Sequence, residues 1–381
     1  MDQVRIGVIG VGGMGSNHCA TMGEVEEAAL TAVCDIGPSV ANEVSAKYSV
    51  PGFERAEDLL DSGLVDAVII ATPHYDHTPI AIQAFERGIH VLSEKPIAVS
   101  VSDADRMIKS AAESGREFAV MYQMRSLGRA QAARKVIEEG RLGQIYRTSL
   151  VMGWFRTQAY YDSGGWRATW AGEGGGVLIN QAPHFLDLFC WLAGLPSKVT
   201  GHTRTRLHDI EVEDEAFAFL EYPNGAHGYL YASTTESPQH EMMEICGDKG
   251  KLVMHGPNLR FLENRPTVRE FALDSEEMWA KPEVDAVELE IPEGGGSHTD
   301  ITRNFCRAIL HDEPLLTPGA EGIWSVELLN ALILSSHTNQ SVQIPVDRHA
   351  YNELLAGLQQ SSRTKDRIRE QRVTDPTYLR A

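Results

Sequence analysis

No stretch of these 381 residues reaches the roughly 18 consecutive apolar residues that a membrane-spanning helix needs. Cysteine is sparse. Cys19, Cys34, Cys190, Cys246 and Cys306 are odd in number and widely separated, which excludes a disulfide scaffold and paired Cys-x-x-Cys sites. Positive charge is also short, with 34 Lys and Arg against 53 Asp and Glu and a net charge of -19. Nucleic-acid affinity depends on cations that neutralise phosphates, so no nucleic-acid partner is expected. Low-complexity blocks and internal repeats are absent, which argues against disorder and solenoids. The chain enters an apolar strand pattern at Val4 with no leader-like segment before it, and a cytoplasmic protein with reduced thiols and no membrane partner is expected.

What is present is an ordinary globular composition, 43% hydrophobic and 23% charged, on a chain long enough for two cores. Over residues 1–123 short apolar runs alternate with helical periods. Arg5–Ile9, Leu30–Cys34, Ala67–Ala71, His90–Ser93 and Phe118–Tyr122 read as strands of a parallel α/β sheet with crossover helices. Residues 124–360 change texture. A helix over Arg129–Glu139 and a strand over Ile145–Trp154 precede a helical face of Phe185, Leu188, Phe189 and Leu192. Hairpin turns follow at Tyr-Pro-Asn-Gly-Ala-His and Gly-Asp-Lys-Gly. Helices return at His298–Leu310 and Gly319–Ser336, then a strand at Val342–Pro345 and a helix at Arg348–Leu358. This second domain is predicted to be α+β with a mainly antiparallel sheet. Residues 361–381 hold six Lys or Arg against three Asp or Glu and read as a solvated tail or an arm onto a partner subunit.

Gly10-Val-Gly12-Gly13-Met14-Gly15 follows the first strand and precedes a helical stretch, the context in which G-x-G-x-x-G binds a dinucleotide. Gly10 permits the turn, Gly12 lets pyrophosphate approach the backbone, and Gly15 lets the helix pack on the sheet. Asp35 lies 20 residues beyond Gly15 at the end of the second strand, where a carboxylate accepts hydrogen bonds from ribose hydroxyls. No Lys or Arg follows in Ile-Gly-Pro-Ser to meet a 2′-phosphate, so NAD is expected rather than NADP.

Open α/β sheets place ligands beyond the carboxyl ends of their strands. Thr72, Pro73, His74 and His77 follow the Ala67 strand, Glu94 and Lys95 the next one, and Gln123 the last, so all are expected to line the cofactor site. His74 and His77 lack partners with metal-ligand spacing, and no metal is expected. The segment from Trp154 to Arg167 is rich in aromatic and Arg residues. Arg156 and Tyr160 are expected to contact substrate, and Trp166 and Arg167 the cofactor, because such side chains suit the faces and hydroxyls of a sugar.

The glycine motif, Asp35, Thr72-Pro73, Glu94-Lys95-Pro96 and Gly174-Gly-Gly followed by His184-x-x-Asp187 together resemble the glucose–fructose oxidoreductase/inositol dehydrogenase/rhizopine catabolism (Gfo/Idh/MocA) family. The resemblance extends to Asn304-Phe-Cys-Arg-Ala-Ile and Leu329-Asn-Ala-Leu-Ile-Leu-Ser-Ser, and so covers nearly the whole chain. It implies a Rossmann domain with a nicotinamide cofactor, an open sheet that mediates a homodimer or homotetramer, and oxidation of a secondary alcohol on a sugar, glycoside or cyclitol. By resemblance Lys95 bonds the reacting oxygen, Glu94 lies near the nicotinamide ribose, and His184 moves the proton. The chemistry agrees, because an imidazole of reference pKa near ~6.5 suits a hydroxyl proton and an ammonium stabilises a developing alkoxide. Whether Lys95 or His184 is the immediate base stays open.

The sequence departs from the family at Asn180, where many members carry Asp. An amide cannot take a proton. Asn180 is therefore expected either to orient substrate hydroxyls or to cap the helix that begins after it. The Asn-Gln-x-Pro-His form resembles members acting on pyranoses and glycosides, which points to oxidation such as that of a C3 hydroxyl. Asp187 either orients His184 or sits at the helix edge. Arg125 and His298 are expected substrate contacts. Two other classes fit the same residues: glycoside cleavage through transient oxidation, and a non-catalytic NAD and sugar sensor.

Overall fold

The computed structural model describes residues 2–363, 365 and 368. Six strands, β1 (Val4–Ile9), β2 (Ala28–Cys34), β3 (Gly52–Phe53), β4 (Ala67–Ile70), β5 (His90–Ser93) and β6 (Phe118–Val120), pair in parallel in the order β3-β2-β1-β4-β5-β6. Their apolar runs are continuous rather than alternating because helices cover both faces. Val4, Ile6, Val8 and all four residues of β4 are fully enclosed. The order reverses beside β1, which opens a crevice above the carboxyl ends of the strands.

Nine strands form the second sheet: β7 (Ile145–Phe155), β8 (Lys198–Arg204), β9 (Glu215–Glu221), β10 (His227–Ser233), β11 (Thr235–Gly247), β12 (Gly250–His255), β13 (Asn258–Arg265), β14 (Glu283–Val287) and β15 (Val342–Gln343). Their order is β14-β13-β12-β11-β7-β10-β9-β8-β15, antiparallel except where β10 runs parallel to β7. Both expected hairpins form. Gly225 turns the first at φ +85°, with Tyr222 N–H on the Ala226 carbonyl at 2.9 Å. The excursion through β13, the helix Val268–Asp274 and β14 was not legible, because its side chains are largely exposed and keep no period.

The chain crosses back over the expected boundary at residue 123. The helix His298–His311 sends Ile301, Phe305 and Cys306 into the same core as β1 and β2. The helix Gly319–Thr338 packs against β6, where a side chain at position 319 would strike the Phe118 ring, and Tyr122 Oη bonds Ser325 Oγ at 2.8 Å. The first sheet and the helices that follow the second sheet are therefore held together. The proposed tail or arm falls mostly outside the described residues. Of its first residues, Ser362 Oγ and the Arg363 N–H both bond Glu211. No helix among the described residues is long and apolar enough to cross a membrane.

Candidate active site

The glycine turn closes the end of β1 with each glycine under a different constraint. Gly10 sits at φ +86° against the backbone of Ala71 and Thr72, and a Cβ on Gly15 would lie 1.9 Å from the Gly10 carbonyl oxygen. Gly12 faces open space, with nothing within 4 Å of where a Cβ would stand. The helix Gly13–Thr21 starts there, so the first-turn N–H groups of Gly13, Met14 and Gly15 lack intrahelical partners. That combination of open backbone and helix N-terminus suits a pyrophosphate. Asp35 braces the turn, its Oδ2 accepting the Val11 N–H at 3.0 Å and its Oδ1 that of Gly37 at 2.9 Å. Each oxygen keeps a lone pair for a ribose hydroxyl.

The other strand ends converge on the same crevice. Thr72 Oγ1 and Gln123 Oε1 are buried without a hydrogen-bond partner among the described residues, as polar groups awaiting a polar ligand are. His77 does not line the site. Its Nδ1 meets the Pro96 carbonyl at 2.9 Å and its Nε2 the Thr72 carbonyl at 3.0 Å, so it fastens the loops after β4 and β5 together. His74 is also enclosed, its Nδ1 donating to the Glu173 carbonyl at 2.9 Å and its ring edge-on to Trp166. Burial presses its imidazole down to about 3. Pro73 is exposed at the start of the helix His74–Glu86.

Glu94 and Lys95 face different neighbours. Burial would raise the Glu94 carboxyl, but the His18 hydrogen bond at 2.7 Å, the His18 charge and the nearby His298 and Lys95 outweigh it and hold it at about 2. His298 stands 4.0 Å from Glu94 with its ring edge-on to His18, which places it at the rim of this cluster. Lys95 Nζ donates to the Asn180 backbone carbonyl at 2.8 Å. Burial lowers its pKa below the usual lysine range, against the opposing pull of Glu94 and Glu173.

Asn180 lies in a wide turn, Val177–Gln181, where the Ala182 N–H reaches back five residues to the Val177 carbonyl. It caps nothing. The following helix, Pro183–Ala193, starts from Ala182 with Pro183 in its first turn and no side-chain cap. The Asn180 amide instead enters a polar network: its Nδ2 donates to Glu173, and its Oδ1 accepts from Gln181 at 2.9 Å. Gln181 also bonds Tyr160 Oη at 2.7 Å, and Arg167 Nη1 reaches the same hydroxyl at 2.6 Å. Arg167 lies over the Tyr160 and Trp166 rings, and Arg156 over Trp154 and Tyr160. His184 follows with Nδ1 buried and without a partner among the described residues. Burial, then the Lys95 charge, presses its imidazole to about 3, so it is neutral and able to accept a proton.

Two expectations need correction. Arg125 cannot reach a substrate, because its guanidinium is fully enclosed, clamped by Asp187 through bonds of 2.8 and 2.7 Å and paired with Glu321. Asp187 accordingly neither orients His184 nor sits at an edge; an acid inside the apolar run Phe185–Leu192 needs a buried partner, and Arg125 is that partner. The glycines 174–176 make room for neighbouring protein. A side chain at Gly174 would strike Val99, and one at Gly176 the Glu213 carbonyl. Sequence reasoning missed His18, Glu173 and Glu213. Only Glu173 left a signal, as a lone carboxylate between an apolar segment and three glycines.

Residues 4–122 match the family described as "Oxidoreductase family, NAD-binding Rossmann fold", and residues 130–253 match "GFO/IDH/MocA C-terminal domain". The chain belongs to the Gfo/Idh/MocA oxidoreductase family. Within it, scyllo-inositol 2-dehydrogenase (NAD(+)) of Bacillus subtilis (strain 168) is 30% identical over 263 residues, 66% of this chain and 73% of that one. The 2,7-anhydro-N-acetylneuraminate hydratase of Escherichia coli (strain K12) is 31% identical over 260 residues, 66% of this chain and 67% of the relative. A crystal structure of the WlbA dehydrogenase from Bordetella pertussis in complex with NADH and UDP-GlcNAcA superposes with a TM-score of 0.76 at 30% identity, over 91% of this chain and 100% of that one. As a Gfo/Idh/MocA oxidoreductase the protein uses NAD, and the turn at Gly10–Gly15 with Asp35 fits that cofactor. Asp35→Ser is expected to lower the NAD over NADP ratio of kcat/KM by about tenfold or more, since a hydrogen bond to a charged group contributes roughly 1.5–3 kcal/mol. An unchanged ratio would remove this role for the carboxylate.

Proposed function

We propose that this oxidoreductase oxidises a secondary hydroxyl of a neutral pyranose, glycoside or inositol, the C3 hydroxyl of a pyranose being the first candidate. The observation that carries the reading is the convergence of Lys95 Nζ, the Asn180 network and the unpartnered His184 Nδ1 beside the nucleotide crevice. NAD, when bound, would supply the hydride acceptor. Gly10, Gly12–Gly15, Asp35, Thr72 and Gln123 would hold it, with Glu94 among the residues at the same strand ends.

His184 takes the hydroxyl proton, because its neutral imidazole offers an acceptor in a buried site. Lys95 places its ammonium against the oxygen as negative charge develops there. Tyr160, Arg156 and the remaining Asn180 amide hydrogen orient neighbouring hydroxyls. The resemblance to a hydratase favours a second reading on the same residues, in which the sugar is oxidised transiently, loses a leaving group by elimination and is reduced again. A panel of pyranoses, glycosides and inositols with purified protein separates the two. Net NADH formation supports dehydrogenation, sugar release without net NADH supports the second, and neither product on any polyol would refute both.

A homodimer or homotetramer is part of the proposal. Phe217, Phe219, Tyr229 and Tyr231 pair across β9 and β10 on the outer face of the second sheet, with Phe219 67% exposed, an aromatic patch of the kind that subunits cover. A cytoplasmic location is proposed on the five free cysteines.

A further inference from the structure

Glu173 belongs to none of the motifs that mark this site, yet it holds the Asn180 amide. Its side chain is buried, with Oε2 accepting the Ala168 N–H at 2.5 Å and Oε1 accepting the Asn180 amide, 3.5 Å from Arg167. The Asn180 carbonyl is in turn the resting place of Lys95 Nζ. Carboxylate and ammonium are therefore linked through one residue, Asn180, whose side-chain amide meets Glu173 and whose backbone carbonyl meets Lys95. The other acid beside Lys95 is already committed, since Glu94 gives one oxygen to His18 and the other to the Lys95 backbone N–H at 3.2 Å.

We propose that Glu173 is a positioning residue that fixes both the place and the charge of Lys95: it holds the side chain of Asn180, whose backbone carbonyl accepts from Lys95, and supplies negative charge to the buried ammonium. The proposal rests on the reading of Lys95 as the group that meets the reacting oxygen. The charges acting on Lys95 come from every side. Glu94 and Glu173 favour its proton, Arg167 and Arg156 oppose it, and His74, His184 and His298 each feel its charge. Without Glu173 the cations outnumber the single shared acid, and Lys95 loses its proton at lower pH.

Glu173→Gln removes the charge and keeps the size; Glu173→Asp keeps the charge. In the intact protein, labelling of Lys95 by acetic anhydride against pH, quantified by peptide mass spectrometry, reads its protonation without needing turnover. The midpoint is expected to fall by about one pH unit or more in E173Q, the shift that an opposite charge at close range produces, and to stay near wild type in E173D. The descending limb of the kcat/KM profile should move by the same amount. Should E173Q not fold, Arg167→Gln frees Glu173 from its competing cation, and the Lys95 midpoint should rise. An unmoved midpoint in E173Q or R167Q, or an equal shift in E173D, would overturn the proposal. Absence of alcohol oxidation by the wild-type enzyme would instead count against the functional reading, and the labelling result would still decide the role of Glu173.

Discussion

Lys95→Ala is expected to lower kcat/KM for alcohol oxidation by about 10²–10³-fold, the usual loss when one donor to a developing oxyanion is removed. The enzyme should still fold and bind NAD, because among the described residues the Lys95 side chain bonds the Asn180 carbonyl alone, and the glycine turn lies elsewhere. His184→Ala should cost about 10²–10⁴-fold, the range for a positioned general base. The pH dependence follows from the same groups. His184, pressed to about 3, is already neutral through the working range and gives no limb near neutrality. Lys95 must hold its proton to stabilise the oxygen, so the rate falls as pH rises through a lysine pKa that burial has lowered from 10.5. Initial rates of NADH formation across pH, with thermal melting as the control for folding, check both points. Undiminished turnover in both variants would remove Lys95 and His184 from the chemistry.

Asp187→Asn is expected to destabilise the protein by about 3–5 kcal/mol, because it strips the counter-charge from a fully buried guanidinium. Arg125 carries more than this pair. It bonds Glu321, lies over the rings of Trp191 and Trp324, and springs from the turn Gln123–Ser126 that joins the two sheets. Replacing both partners with apolar groups, Arg125→Met with Asp187→Leu, should recover much of the loss, since burying an ion pair gains little over well-packed hydrophobic residues. Urea denaturation midpoints of the single and double variants test this. A loss under about 1 kcal/mol in D187N would show that the pair is solvated in solution.

The first sheet was legible because its strands are buried on both faces and its loops carry glycine chemistry that admits few substitutes. Its core strands, the Gly10–Gly15 turn and Asp35 all fall where spacing puts them. The second sheet was legible where one face is buried in alternation, as in β9 and β10, and illegible from β13 to β14, where Phe261 is the one buried side chain and no period forms. Pairings between distant side chains left almost no trace. Asp187 three residues after His184 looked like a local helical partner, whereas it meets an arginine 62 residues away. Asn180 looked like a cap because Pro183 follows it, but the chain makes a wide turn first and begins the helix two residues later. Glu173 acquires meaning only once the fold brings Asn180 and Arg167 to it.

In the proposed reaction this cleft takes hydride from a carbinol carbon and passes it to NAD. The direct measurement is a single turnover of wild-type protein and NAD with pyranoses, glycosides and inositols deuterated at each secondary carbinol in turn. Deuterium recovered at C4 of the nicotinamide ring, in equal amount to the ketone formed, is the predicted result. Saturated binding of NAD with no deuterium transferred from any labelled carbinol would contradict it.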